Sequence, residues 1–461
     1  MGAVTDNQPV TCTCTCERDR HLFCPGPKRI LALDGGGVRG AVTVAFLERI
    51  EAILSERCGE RVHLCDWFDL IGGTSTGAII AGALAMGFTV ADTKRFYLEI
   101  APKVFKRPFW RIMGLQAKFD ARALRKEIEA IVGDQRLGSE ELATGFCLIT
   151  KRMDTGSPWV LANNPRAPYW ETKQPDPKTG AKGYTGNKAY VLANLVRAST
   201  AAPFYFDPEW LPIVEGEKPG LFVDGGVTPH NNPSLFLFLM TIFKAYQLCW
   251  KTGPDNLTVV SIGTGSHRDK IVPEELGMGR TARLTIRALT SLMTDIQRFV
   301  LTQMQFLGEC VTPWWIDKEI RTLEGETPPD GKLFRFLRYD VQLELPWIEN
   351  ELGDRVEEVF GRNLTEIDVI RMRSMDDPTI IEDVYRLARI AAEKQVKPEH
   401  LIGETPTWCN SRLPSAKSRQ LPLRKDDESS FSLWAIRLKW INVGLSYFRS
   451  SILHALNPLR R

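Results

Sequence analysis

The sequence predicts an α/β fold of three layers, α/β/α, with a mostly parallel central sheet between helices and a helical C-terminal extension. Two observations carry that expectation. An apolar run, a glycine-rich turn and a helical pattern follow one another at 29–55, and the same unit recurs at 67–86. Repeated strand–turn–helix units imply parallel strands with helices covering the sheet.

In the first unit, 29–33 reads as a buried strand, Asp34-Gly35-Gly36-Gly37-Val38-Arg39-Gly40 as a tight loop, and 41–55 as an amphipathic helix. In the second, 67–71 is the strand, 72–77 the turn, and 78–86 a helix of small residues that can pack closely. Further strands are expected at 145–150, 159–162, 221–223 and 257–262. The stretch 163–187, rich in Pro, Gly, Lys and Thr, reads as a surface excursion. Beyond 281 the pattern turns helical, most clearly at 283–305 and 382–394. The chain therefore divides into a disordered Cys/Thr-containing lead-in (1–27), a main domain (28–280), a helical addition packed on the core (281–402), a flexible tether (403–427) and a basic amphipathic helix (428–461).

At 461 residues and 43% hydrophobic, the chain can bury a full core. Its 59 basic and 56 acidic residues nearly cancel, so no global field recruits nucleic acid. The first ten residues lack the apolar run of a secretory signal, and Asp6 stands where a myristoylation signal needs Ser or Thr. The most apolar internal run, 235–243, is far shorter than the roughly 20 residues that span a bilayer. A cytoplasmic protein, soluble or peripherally membrane-associated, is expected. Ten cysteines are too few for a disulfide scaffold. Cys12, Cys14, Cys16 and Cys24 have poor zinc-ligand spacing, so a structureless lead-in with no metal is expected there, a metal or redox role being the alternative. In 428–461, Trp434, Leu438, Ile441, Leu445, Phe448 and Ile452 recur at helical spacing beside Arg437, Lys439 and Arg449. That pattern suits either a helix docked on the main domain or an interfacial membrane binder. The run Lys103, Phe105, Lys106, Arg107, Phe109, Trp110, Arg111 suits either contact with anionic lipid or a helix connection with snorkelling charges.

The chemistry centres on Gly73-Thr74-Ser75-Thr76-Gly77, a G-x-S-x-G pattern between an expected strand and an expected helix. A nucleophile elbow needs small flanking residues because the serine backbone is strained and its strand and helix come close. Gly35, Gly36 and Gly37 at a helix start can converge backbone N–H groups on an oxyanion, supported by Arg39 and Gly40; the same residues also fit a nucleotide loop, G-x-G-x-x-G. Asp224-Gly225-Gly226 follows an apolar strand and offers a base for the serine proton, provided that burial raises the carboxyl pKa. His230 and His267 lie near glycine turns, but no pattern marks either as catalytic.

In that order and spacing, the glycine loop, the Ser75 elbow and Asp224-Gly225-Gly226 resemble the patatin-like phospholipase family. The run Ala198-Ser199-Thr200-Ala201-Ala202-Pro203-Phe204-Tyr205-Phe206 is similar to the family's segment before its catalytic Asp. The resemblance covers about 28–265, making 28–280 a patatin-like catalytic domain. Asp-Gly-Gly stands where many relatives have Asp-Gly-Ala. The resemblance implies a Ser75–Asp224 dyad, Gly36 and Gly37 as oxyanion donors, and acyl-ester hydrolysis on phospholipids or related lipids through an acyl-enzyme, with no cofactor and no calcium. An acyltransferase with the same dyad, an enzyme gated by a small effector, and a non-catalytic lipid-binding regulator are the alternatives.

Overall fold

A computed structural model describes residues 14–105, 117–268 and 280–401. Among these, nine strands make one sheet: β1 (Lys28–Leu33), β2 (Leu70–Thr74), β3 (Gly145–Arg152), β4 (Ser157–Ala162), β5 (Glu209–Leu211), β6 (Gly220–Asp224), β7 (Leu257–Ile262), β8 (Gly308–Cys310) and β9 (Phe334–Tyr339). Their order is β5-β6-β3-β2-β1-β7-β9-β8, with β4 also on β3. The helices are α1 (Glu17–Phe23), α2 (Gly40–Cys58), α3 (Leu64–Trp67), α4 (Thr76–Ala85), α5 (Val90–Val104), α6 (Ala121–Val132), α7 (Leu192–Ser199), α8 (Ser234–Ile242), α9 (Arg280–Leu307), α10 (Leu345–Leu352), α11 (Asp354–Phe360), α12 (Glu366–Met372) and α13 (Ile381–Gln395).

The sheet is mostly parallel, as the repeated units require: β1 runs with β2 and β7, β2 with β3, and β9 with β7 and β8. Alternate residues of a strand point to opposite faces. On one face Ile30, Ala32, Leu70, Cys147 and Val259 pack with Leu237 of α8 and with Val300 and Met304 of α9. On the other, Phe146 meets Gly82 of α4, and α2 packs on α4, α5 and α13. Helices thus cover both faces.

One detail of register positions the site. β4 occupies one edge of β3 from Cys147 to Arg152. On the other edge β2 ends with Thr74 opposite Ile149, and β6, running the opposite way, ends with Asp224 opposite Thr150. The C-terminal ends of β2 and β6 therefore meet head-on along a single edge.

The structure corrects several expectations. The lead-in is not structureless throughout: Glu17–Phe23 is helical, Leu22 is fully buried, and the Trp250 indole donates to the Leu22 carbonyl at 2.8 Å. Cys24 and Cys58 each stand in a disulfide, whereas Cys14, Cys16, Cys65, Cys147, Cys249 and Cys310 are free thiols. The second strand begins at Leu70, since Leu64–Trp67 winds into a short helix first. The addition 281–402 is not purely helical: β8 and β9 extend the sheet, which dissolves the boundary at 280. The arginines of Phe-Arg-Phe-Leu-Arg-Tyr mask β9 as a strand. One of them, Arg338, is buried and donates to Asp34 Oδ2 at 2.8 Å, Asp340 Oδ2 at 2.9 Å and Ser261 Oγ at 2.7 Å. The tether 403–427, the helix 428–461, residues 106–111 of the basic aromatic run, Cys12 and Cys409 lie outside the described residues. Among the described residues no helix is long and apolar enough to cross a membrane.

Arg338 neutralises two buried carboxylates, one of which, Asp34, begins the glycine loop. Arg338→Met should therefore destabilise the protein by about 3–5 kcal/mol in chemical denaturation, the scale for leaving buried charges unpaired.

Candidate active site

Ser75 sits between β2 and α4 with φ 56° and ψ −126°, a left-handed conformation that costs a non-glycine residue of order 1–3 kcal/mol. Its flanking glycines make the turn possible. A Cβ on Gly73 would lie 2.1 Å from the Gly77 carbonyl oxygen, and one on Gly77 would lie 2.3 Å from the Leu33 carbonyl oxygen. The Ser75 N–H donates to Ser199 Oγ at 3.0 Å, and the Ser199 hydroxyl donates to the Ile149 carbonyl at 2.6 Å, so the elbow is tied to both α7 and β3.

The head-on meeting of β2 and β6 brings the Ser75 hydroxyl to Asp224, to which it donates at 2.6 Å through Oδ2. Oδ1 accepts the Gly226 N–H at 2.6 Å, fixing the carboxylate plane. Gly225 is obligatory in this turn, because a Cβ there would lie 2.3 Å from the Ile149 carbonyl oxygen. Burial pushes the Asp224 carboxyl up to about 6, against the opposing pull of the Ser75 and Gly226 hydrogen bonds and the Arg197 cation.

The three loop glycines divide their tasks. The Gly35 N–H donates to the Asn231 carbonyl at 3.1 Å, so it is already committed. The Gly36 N–H donates to Thr76 Oγ1 at 3.2 Å. Gly37, at φ +60°, lines the cleft beside Ser75, and a Cβ on it would lie 2.1 Å from the Met375 carbonyl oxygen. That carbonyl accepts the Val38 N–H at 2.9 Å, and the Tyr97 hydroxyl donates to the Gly37 carbonyl. The Thr264 hydroxyl donates to the Gly35 carbonyl at 3.0 Å. Arg39 is buried, with Nη1 3.4 Å from His267 Nδ1, and Gly40 lies under the Tyr97 ring.

A cleft of about 690 Å³, counting its open mouth, runs from this point between α4, α5 and the side chains of Thr200, Ala202, Tyr205 and Phe206. Ile79, Ala101, Val104, Leu124, Phe206 and Met375 give it apolar walls, and Ser75 and Asp224 lie on its lining. His230 takes no part in the dyad contact: its backbone carbonyl accepts the Thr74 hydroxyl at 2.6 Å, and its ring packs edge-on against Phe236. Sequence reasoning missed Ser199, Tyr97, Asn231, Thr264 and Met375 as parts of the site. Asn231 and Thr264 stand in turn-rich segments that could have signalled a structural role; Met375 carries no local signal. Among the described residues no group of three or more His, Cys, Asp or Glu is arranged to hold a metal ion.

A mostly parallel sheet with a serine elbow at one strand end, a carboxylate at another and a glycine loop beside them makes an α/β domain that holds a serine hydroxyl against a buried carboxylate at the lining of an apolar cleft. Residues 31–237 match the family described as Patatin-like phospholipase. The chain is 30% identical over 274 residues to "Patatin-like protein 1" of Arabidopsis thaliana, covering 54% of this chain and 62% of that protein. It is 27% identical over 258 residues to a "cGAMP-activated phospholipase" of Escherichia coli (strain TW11681), covering 55% and 66%. The chain thus spans less than two thirds of either relative. Among solved structures, "Human GIVD cytosolic phospholipase A2" aligns with a TM-score of 0.40 at 11% identity, over 83% of this chain and 61% of that one.

A carboxyl raised by burial favours the fold while protonated, and that contribution is lost as pH rises from the ordinary aspartate value through about 6. Asp224→Asn removes the ionisation but keeps the shape. In thermal unfolding its stability relative to the parent should be higher at pH 8 than at pH 4.

Proposed function

We propose that this protein is a lipid acyl hydrolase of the phospholipase A or lysophospholipase type, cleaving fatty-acyl esters through Ser75 and Asp224. The observation that carries this reading is the 2.6 Å contact between the Ser75 hydroxyl and the buried Asp224 carboxylate, at the lining of an apolar cleft suited to an acyl chain. Ser75 Oγ attacks the ester carbonyl carbon while its proton passes to Asp224 Oδ2. The resulting oxyanion takes the N–H of Gly37 and, on its release from Thr76 Oγ1, that of Gly36, with the N-terminus of α4 adding positive potential. Collapse expels the alcohol, which leaves with the proton held by Asp224. Water then attacks the acyl-enzyme, giving a proton to Asp224, and release of the fatty acid returns that proton to Ser75. No step calls for a metal ion.

The test is fatty-acid release from mixed phospholipid vesicles under excess chelator. Wild type should be active, and Ser75→Ala and Asp224→Ala should each lower release by a factor of about 100 or more. Release that survives Ser75→Ala overturns the assignment. Since only the ionised Asp224 accepts a proton, turnover should fall as pH drops through about 6. Gly37→Ala should abolish release, because the added methyl group meets both the positive φ and the Met375 carbonyl.

A second reading concerns control. Two Escherichia coli relatives carry the names cGAMP-activated phospholipase and cUMP-AMP-activated phospholipase. If this chain is gated in the same way, wild type should stay silent on vesicles until a cyclic dinucleotide is added. An acyltransferase sharing the dyad would instead show acyl transfer to an added lysolipid or alcohol exceeding hydrolysis.

A further inference from the structure

Phe204 is unusual in two respects at once. Its φ is +74°, in the left-handed region that a bulky side chain avoids, and it is 59% exposed. Asparagine or glycine would relieve both costs. The conformation is pinned: the Lys118 N–H donates to the Phe204 carbonyl at 2.9 Å, and the Phe119 N–H donates to the Tyr205 carbonyl at 2.8 Å. The fold therefore holds an aromatic side chain out into water.

From Phe204 a chain of rings leads inward. Phe204 meets Tyr205 edge-on at 5.5 Å between centroids, Tyr205 stacks on Phe119 at 6.2 Å, and Phe119 meets Phe105 at 5.3 Å and Phe206 at 5.6 Å. Tyr205, Phe105 and Phe206 line the cleft that holds Ser75. The exposed ring is thus the outer end of a continuous apolar path to the nucleophile. Val227, three residues beyond Asp224, is 44% exposed, and Lys103, beside the cleft-lining Val104, is exposed on α5. Exposed apolar side chains together with an exposed cation on a cleft-lining helix match a bilayer surface carrying anionic headgroups.

We propose that Phe204, at the outer end of this path, seats this protein against an anionic lipid bilayer, with Val227 and Lys103, exposed and close in sequence to the cleft-lining Asp224 and Val104, adding to the contact, so that an acyl chain enters the cleft without crossing water. The inference rests on the lipid-hydrolase reading for its purpose. Binding can nevertheless be read without catalysis.

The experiment is co-sedimentation of the full chain with vesicles of phosphatidylcholine and phosphatidylglycerol. It compares wild type, Phe204→Asn, Phe204→Trp and Val227→Ser, with hydrolysis of a water-soluble butyrate ester measured in parallel. Phe204→Asn suits the positive φ, so folding should hold and soluble-ester turnover stay within about twofold. Its vesicle partition should fall by about tenfold or more, the scale for removing a large apolar contact, while Phe204→Trp keeps or strengthens binding. Val227→Ser should weaken partition in the same direction, and added salt should weaken wild-type binding by screening Lys103. Unchanged partition of Phe204→Asn overturns the proposal. So does wild-type self-association that Phe204→Asn abolishes, since the face would then be a contact between copies. Partition that responds as expected while neither ester nor lipid is cleaved leaves the surface standing and removes the hydrolase reading instead.

Discussion

Two strands running in opposite directions end side by side on one edge of β3, and the rest of the site depends on that junction. Thr74 closes β2 opposite Ile149, and Asp224 closes β6 opposite Thr150. Adjacent positions on a strand lie about 3.3 Å apart, so the residue leaving β2 and the last residue of β6 must be neighbours. The sheet thereby places a carboxylate in direct contact with the serine hydroxyl. In the proposed mechanism its burial is the condition for its use, because an ordinary aspartate is too weak a base to hold the proton at neutral pH.

Around this junction the protein concentrates features that oppose stability. Ser75 is held at positive φ, Asp224 is buried close to an apolar cleft, and Asp34 lies fully buried at the head of the glycine loop, its carboxyl raised to about 6 by burial despite Arg338. Each is offset by a specific partner. Ser199 grips the elbow backbone, the Gly226 N–H and Ser75 hydroxyl satisfy Asp224, and Arg338 bridges Asp34 to Asp340. Support for the glycine loop therefore comes from a strand far along the chain, Arg338 lying 304 positions beyond Asp34.

Much of this is legible in the sequence because the decisive residues are glycines next to chemistry-bearing side chains. Gly73 and Gly77 announce a strand and helix pressed together, and Gly225 announces a turn against β3, so Ser75 and Asp224 stand out without any knowledge of the sheet. The limits have equally physical causes. A buried arginine in β9 interrupts the apolar pattern, and only the tertiary pairing with Asp34 shows that the segment is a strand. Met375 touches the glycine loop through its backbone carbonyl, which carries no side-chain signature. The commitment of the Gly35 N–H to Asn231 depends on a hydrogen bond between segments 196 residues apart in the chain, so three equivalent-looking glycines turn out to have different roles.

The brace at Met375 and Arg338 also sets an order in time. Synthesis proceeds from the N-terminus, and by the end of β7 an emerging chain already contains Ser75, Asp224 and all three loop glycines. It still lacks the arginine that neutralises Asp34 and the carbonyl that caps Val38. On the ribosome Ser75 and Asp224 thus exist well before the glycine loop beside them has its support. A nascent chain carries the parts of the site but completes it only after residue 375 has emerged and docked.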